Sequence, residues 1–202
     1  MRIAVIYYSS TGTIHAMATA LAEGAEEEGA EIRLRRVPEL APDAAIDANP
    51  AWRKYVDEVA PKVEVAQPAD LEWADAYALG TPTRYGLPAA QMKQFIDTTG
   101  GIWQAGKLQD KAATSFASAI NVHGGAESTI LALNNVLYHW GAIIVAPGYT
   151  DPQVYAGGGN PYGASHSTGM PPQGPSEGAL TVAKYQGRRL AQVAKRLQGG
   201  AG

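Results

Sequence analysis

The chain contains no cysteine, which excludes disulfide bonds, thiol catalysis and cysteine-ligated metal sites. Neither positive nor negative charge is in large excess, because the chain has 16 Lys and Arg residues and 19 Asp and Glu residues, a net charge of -3. Without a basic excess, we expect no nucleic-acid ligand. No signal peptide and no apolar run long enough to span a bilayer is visible, so we expect a cytoplasmic protein.

Patterns typical of side-chain catalysis are also missing. No acidic pair, Ser-His-Asp set or metal-ligand spacing stands out, so we expect no metal and no catalytic side chain. The 202 residues, 46% of them hydrophobic, suit a single domain over 1–202. Prolines cluster in an insertion at about 38–70, and glycine and proline together in a loop at about 148–175. The insertion has little periodicity, which is compatible with a mobile flap or with a surface loop.

Five apolar segments alternate with helical patterns along the chain. The predicted strands are 3–8, 31–37, 74–80, 111–118 and 142–145. Such alternation predicts a parallel sheet with helices on both faces. In sheets of this kind, ligands bind at the carboxyl ends of the strands, and the turns after the first, third and fourth strands are rich in Gly, Ser, Thr or Asn.

The turn after the first strand has the clearest chemistry. It contains Ser9, Ser10, Thr11 and Thr13 around Gly12, directly before a helical pattern. A helix N-terminus offers unpaired amides and a partial positive charge, the hydroxyls add donors, and glycine allows close approach. The lysine of a Walker A loop and the G-x-G-x-x-G fingerprint are both missing. Taken alone, the turn is compatible with a phosphate site or with an ordinary N-cap.

Further motifs make the sequence recognisable. They are Tyr8-Ser9-x-x-Gly12, the run 80–86 (Gly-Thr-Pro-Thr-Arg-Tyr-Gly), Gln91-Met92-Lys93, the run 99–103 (Thr-Gly-Gly-Ile-Trp), Gly124-Gly125-x-Glu127 and the run 161–164 (Pro-Tyr-Gly-Ala). With these motifs, the chain resembles the tryptophan-repressor-binding-protein family of flavodoxin-like NAD(P)H:quinone oxidoreductases. The resemblance extends over nearly the whole chain, and the run 80–86 is its most specific part.

The resemblance implies a three-layer, doubly wound, flavodoxin-like fold around a five-stranded parallel sheet in the order 2-1-3-4-5. It also implies bound FMN, a homotetramer, and two-electron ping-pong transfer from NADH or NADPH through FMN to quinones. The redox chemistry belongs to the cofactor, so no side chain need act as a catalyst. The alternatives are a flavodoxin-like FMN electron carrier and an adaptor that binds a transcriptional repressor.

The resemblance further implies which residues form the site. The phosphate loop would be Ser9, Ser10, Thr11, Gly12, Thr13 and Ile14, and the segment along the isoalloxazine ring would be Pro82, Thr83, Arg84 and Tyr85. Amides on the pyrimidine side of the ring would come from Ala119, Ile120, Asn121, Val122, His123 and Gly124, and His139 would be a further FMN contact. Tyr85, Trp103 and Thr11 would border the substrate pocket.

Two positions depart from the family's pattern. Thr11 stands where the family usually has an aromatic residue that contacts the nicotinamide nucleotide, and 119–123 replaces a Ser-Thr-Gly-Thr-Gly-like run. FMN binding is still expected, because main-chain amides do the binding in the second segment. Taken singly, Trp103 would also suit the core and His139 a structural role, whereas no role is expected for His15.

Overall fold

A computed structural model describes residues 1–199, and the last three residues of the predicted domain, 200–202, lie outside the described residues. The strands are β1 Arg2–Tyr7, β2 Glu31–Arg36, β3 Ala76–Arg84, β4 Leu87–Pro88, β5 Ala112–Ala119, β6 Ile143–Ile144 and β7 Ser165–Ser167. The helices are α1 Thr13–Glu27, α2 Asp43–Asp47, α3 Pro50–Lys54, α4 Pro68–Trp73, α5 Ala90–Asp97, α6 Gly100–Gln104, α7 Ala126–His139, α8 Pro152–Ala156 and α9 Glu177–Gly199. In this described part of the chain, no helix is both long and apolar enough to cross a membrane.

Within residues 1–199 the sheet has seven strands, so the prediction of five was wrong. Five parallel strands form the path β2-β1-β3-β5-β6, and the predicted order 2-1-3-4-5 describes only these. β4 pairs antiparallel with β3, and β7 pairs parallel with the second half of β5. Strands of two or three residues have no hydrophobic pattern of their own, because the neighbouring strand that pairs with them defines them.

The space beside β5 is shared by two short strands. β6 pairs with the start of β5 and β7 with its end, and the chain between them loops out and forms α8. The segment 148–175, predicted to be irregular throughout, therefore contains a helix and a strand. Its strand pairs with β5 next to the sheet edge where ligands bind in folds of this class.

Two apolar layers cover the sheet. In β1, Ile3 and Val5 pack against α1 and α9, whereas Ala4 and Ile6 pack against α5 and α7. All four side chains are fully buried, because β1 lies in the middle of the sheet between the two helical layers. This position explains the continuous apolar run that predicted the strand.

α1 and α9 approach each other closely through two glycines. A Cβ on Gly24 would lie 1.9 Å from the carbonyl oxygen of Lys184, and a Cβ on Gly187 would lie 1.9 Å from that of Leu21. No other residue fits at these two positions without moving a helix backbone. The contact holds α1, and with it the turn that precedes it, against the rest of the fold.

The insertion is folded against the end of the sheet and has more regular structure than its sequence pattern predicts. It contains α2, α3, a π-helical turn over Tyr55–Val59 and a 3-10 turn over Ala60–Lys62. Arg53 joins these pieces through ion pairs with Asp43 and Asp47, both at 2.7 Å, and with Asp57 at 3.3 Å. One arginine therefore holds α2, α3 and the π turn together.

Candidate active site

Three segments that follow β1, β3 and β5 meet at the carboxyl edge of the sheet. Nη2 of Arg84 lies 3.5 Å from Oγ of Ser10, which joins the end of β3 to the first turn. Oγ1 of Thr83 donates to the carbonyl oxygen of Gly125 at 3.3 Å, which joins β3 to the start of α7. The predicted segments brought together in this way are 9–14, 82–85 and 119–124.

The N-terminus of α1 opens onto the hydroxyl-rich turn. Gly12 occupies the N-cap position with φ +99°, and within residues 1–199 no side chain caps the helix. Oγ of Ser9 instead accepts a hydrogen bond from the amide of Gly12 at 3.0 Å inside the turn. The serines and threonines therefore leave the first-turn amides without a side-chain partner, which an ordinary N-cap would not do and which an anion site requires.

A cation lies closer to this turn than the sequence indicates. The lack of lysine in the turn predicts a site with uncharged donors only. Arg84 is exposed at the end of β3, and its guanidinium reaches Ser10 while it also donates to the carbonyl oxygen of Thr83 at 2.9 Å. Arg84, predicted to lie along the ring, thus also lies beside the first turn, because β3 is long enough to project it there.

The segment predicted as a loop after the third strand is mostly strand. Pro82, Thr83 and Arg84 are the last residues of β3, and Tyr85 and Gly86 form the turn to β4 with φ of +53° and +78°. Two successive positive φ values are typical of tight hairpin turns. Tyr85 is thus a strained residue with a fully exposed ring, a placement that favours ligand contact over a core role.

Glycines allow this hairpin turn to contact the start of α7. A Cβ on Gly125 would lie 2.7 Å from Cα of Gly86, and Oγ of Ser128 donates to the carbonyl oxygen of Gly86 at 2.9 Å. Gly125, with φ +93°, is the N-cap residue of α7, which also has no side-chain cap among the described residues. A second helix N-terminus with free amides therefore opens at the same edge.

The turn after β5 presents its backbone between exposed side chains. Ala119 ends β5, and the side chains from Ile120 to His123 are all exposed. The amides of Thr168 and Gly169 donate to the carbonyl oxygens of Ala119 and Ile120, both at 2.8 Å. The segment 148–175 thus braces this turn from behind, and the backbone of the turn is held in place while its side chains stay free.

The structure does not bring Trp103 and His139 to this edge. The two glycines before Ile102 predict a loop at 98–103, but Trp103 lies in α6, and its Nε1 donates to the carbonyl oxygen of His139 at 2.8 Å. α7 has 14 residues and starts at the carboxyl edge, so His139 at its far end lies roughly 20 Å away. Both side chains are exposed, and within a single chain the two residues lie together, apart from the other predicted site residues.

A cluster of neutral aromatic side chains, which no sequence pattern indicates, lies on the other flank of the first turn. The hydroxyl of Tyr7 lies 2.6 Å from Nδ1 of His15, and the hydroxyl of Tyr55 donates to that of Tyr7 at 3.5 Å. Burial raises the pKa of Tyr7 and Tyr55 and lowers the pKa of His15. Tyr55 belongs to the insertion, 48 residues from Tyr7, so only tertiary structure brings the cluster together.

A family model and related sequences match most of this chain. Residues 1–154 match the family model described as NADPH-dependent FMN reductase. An NAD(P)H dehydrogenase (quinone) of Deinococcus radiodurans is 43% identical over 199 residues, which cover 98% of each chain. A relative of the same name from Geobacter sulfurreducens is 44% identical over 217 residues, with 98% of this chain and 100% of the relative covered.

Solved structures agree with the sheet described above. The flavodoxin-like, WrbA-like protein from Agrobacterium tumefaciens is similar with a TM-score of 0.68 and 27% identity, over 96% of this chain and 98% of that one. Flavodoxin 1 from Bacillus cereus has a TM-score of 0.61 and 16% identity over 95% and 98%, which shows the shared fold alone. The chain therefore belongs to the NADPH-dependent FMN reductase family, and its resemblance to the tryptophan-repressor-binding-protein family of quinone oxidoreductases is confirmed.

Proposed function

We propose that the chain is an FMN-dependent NAD(P)H:quinone oxidoreductase. The observation that carries the proposal is the uncapped N-terminus of α1, which opens onto a turn of serines and threonines where the β3–β4 hairpin and the turn after β5 also meet. When bound, FMN would supply a ring that takes a hydride equivalent from NAD(P)H and passes it to a quinone in two separate two-electron half-reactions. The curated relatives carry the matching name.

The residues present fit the phosphate of FMN. The hydroxyls of the first turn and the free amides of α1 would hold it, as flavodoxin-like sites do, and the nearby Arg84 guanidinium would oppose its negative charge. The set proposed for this role is Ser9, Ser10, Thr11, Gly12, Thr13 and Ile14. The donor chemistry is neutral or positive throughout, which favours an anionic ligand at this turn.

The residues around the ring have different tasks. Pro82, Thr83 and Arg84 would line one edge of the ring, and the amides of 119–124 would face its pyrimidine side. The exposed ring of Tyr85 would cover the flavin face on which NAD(P)H and then the quinone bind, and exposed Thr11 would border the same space. The loop at 148–175 would keep water out, because it already braces the turn after β5.

We also propose that the active unit is a homotetramer of single-domain chains in the cytoplasm, where NAD(P)H is regenerated. Trp103 and His139 lie together and exposed, remote from the other predicted residues of their own chain. Their predicted contacts with the flavin pocket therefore require a second subunit. Sedimentation of the FMN-loaded protein gives its oligomeric state, and an activity assay of the same sample gives its rate. A monomer that oxidises NAD(P)H at full rate would contradict the proposal.

The function is tested with purified protein mixed with FMN. We expect a yellow complex, steady oxidation of NADH or NADPH in the presence of benzoquinone, and parallel lines in double-reciprocal plots, as ping-pong kinetics demands. A yellow protein without steady turnover would instead indicate an electron carrier. A protein that is colourless once unbound FMN has been removed would contradict the proposal and favour the adaptor.

A further inference from the structure

We propose that Tyr55, contributed by the insertion, donates a hydrogen bond to the phosphate of FMN. The inference rests on the proposed function and adds a ligand from outside the phosphate loop. It gives the insertion a defined task, which is to deliver one phenol to the flank of that loop.

The side chain of Tyr55 lies directly against the phosphate loop. A Cβ placed on Gly12 would lie 3.5 Å from Cδ2 of Tyr55, so the ring packs on the glycine that caps α1. Tyr55 and Ser9 also line a common cavity of about 80 Å³ together with Tyr8 and Arg36. Although the side chain is only 5% exposed, it lies next to the free amides of the first turn.

Within residues 1–199, the hydroxyl of Tyr55 has two neighbouring hydroxyls, those of Tyr7 and Ser9, and the contact with Ser9 gives no hydrogen bond of regular geometry. Its bond to the hydroxyl of Tyr7 is 3.5 Å long, at the outer limit for a hydrogen bond, while Tyr7 itself is closely bonded to His15 at 2.6 Å. Burial raises the pKa of Tyr55, so the phenol keeps its proton near neutral pH. A neutral O–H group with a weak acceptor gains most when an anion is bound beside it.

The backbone at Tyr55 is unusual as well. Tyr55 is the first residue of the π-helical turn Tyr55–Val59, which directly continues α3. π-Helical turns are rare and often occur at functional sites, because the extra residue re-aims a side chain. Here the turn coincides with the residue that packs on Gly12.

Glu39 anchors the insertion at the position that this contact requires. Its carboxylate accepts hydrogen bonds from the hydroxyl of Tyr8 at 2.8 Å, from Nε1 of Trp52 at 2.9 Å and from Nε2 of Gln91 at 2.6 Å. Burial alone would raise the pKa of Glu39, but these donors and the amide of Ala41 hold it below its usual value. An ionised Glu39 thus ties α3 to the end of β1 and to α5. Its contact in α3, Trp52, lies three residues before Tyr55.

Tyr55→Phe, assayed with FMN and with riboflavin, separates a phosphate contact from a packing role. Riboflavin has the same ring but no phosphate. Removal of a hydrogen bond to a charged group predicts roughly 10- to 100-fold weaker FMN binding, with riboflavin affinity changed by less than about 2-fold. Quenching of flavin fluorescence by the apoprotein gives both dissociation constants, and circular dichroism checks the fold.

Matched variants complete the test. Tyr138→Phe removes an exposed phenol on α7 and is expected to leave the FMN-to-riboflavin affinity ratio unchanged. Trp52→Phe loosens the anchor on Glu39 but keeps Tyr55, so the ratio should fall in the same direction by a smaller factor. The inference is overturned if Tyr55→Phe weakens the binding of FMN and of riboflavin equally. It is also overturned if the FMN-to-riboflavin affinity ratio is unchanged in both Tyr55→Phe and Trp52→Phe. If the unmodified protein binds neither flavin, the proposed function itself fails.

Discussion

At the scale of single residues, the backbone of Tyr85 is the feature that packing of the core does not explain. Tyr85 has φ +53° and a fully exposed ring, although glycine would fit this turn position without strain. A left-handed conformation costs a non-glycine residue about 1–2 kcal/mol. The residue identity is therefore poor for folding and needs a reason outside folding, which contact with substrates on the flavin would provide.

Tyr85→Gly is expected to leave the free energy of unfolding unchanged or to raise it by up to about 1 kcal/mol, because relief of strain exceeds the added chain entropy of glycine. Quinone turnover should fall at the same time, since the pocket loses its aromatic wall. Urea unfolding and the NADH–benzoquinone assay measure the two effects. Tyr85→Ala, which keeps the strain, serves as the control, and a glycine variant less stable than the alanine variant would contradict this account.

The residues of the site differ in how far sequence could predict them. Ser9 to Ile14 are consecutive residues of one turn and the start of α1, so local composition was enough to mark them as candidates. Tyr55 and Glu39 lie in a segment without periodicity, and their partners Tyr7, Tyr8 and Gln91 are distant in sequence. No local pattern encodes such contacts, because they depend on how the insertion folds back on the sheet.

At the scale of elements, close contact between α1 and α9 decides where the proposed phosphate loop lies. Gly24 and Gly187 place each helix against a backbone carbonyl of the other. The contact lies along the body of α1, and the free N-terminal amides extend from it towards the site. Packing of one helix pair therefore sets the position of the turn that is proposed to bind the phosphate.

Gly187→Ala should destabilise the protein by about 2 kcal/mol or more, because its methyl group would meet the Leu21 carbonyl and force the helices apart. Gly101→Ala is the matched control, since it adds the same methyl group to a helix where nothing lies within 4 Å. Urea unfolding of both variants gives the comparison. Equal stability of the two variants would show that the helix contact is not tight in solution.

Short elements were the main errors of prediction at this scale. The fourth predicted strand was nearly right, because β5 is buried along its whole length and rich in small apolar residues. β4 and β7 were missed, since each consists of two or three residues that become strands only by pairing with β3 and β5. α6 was predicted as a loop, because its two glycines disfavour a helix that tertiary packing nevertheless allows.

At the scale of the whole molecule, two half-buried histidines couple folding to pH. Burial lowers the pKa of His15 and His166 below the usual value of about 6.5. His15 faces Tyr7 and Tyr55 and lines a surface groove with Lys184 and Glu177. The unfolded chain therefore binds protons at these histidines at a higher pH than the folded chain does.

Stability should accordingly be constant with respect to these groups above about pH 6.5 and should fall as the pH drops below it, towards their folded pKa values. His15→Gln should reduce this slope, and His123→Gln, which changes an exposed histidine, should not. Urea unfolding of the apoprotein between pH 5 and 7 provides the measurement. The depressed pKa of Glu39 does not interfere, since its contribution is lost only at lower pH, as the carboxylate becomes protonated. An identical slope in all three proteins would contradict the assignment to His15.

The sequence by itself determined the alternation of strands and helices, the buried central strand and the hydroxyl-rich turn at the start of α1. These features are local, because hydrophobic periodicity and turn composition are written in consecutive residues. Only the tertiary structure decided that Arg84 lies beside Ser10, that Tyr55 packs on Gly12, and that Trp103 and His139 lie remote from the other site residues. Such contacts join residues that are far apart along the chain, and they follow from the packing of helices, hairpin and insertion around one edge of the sheet.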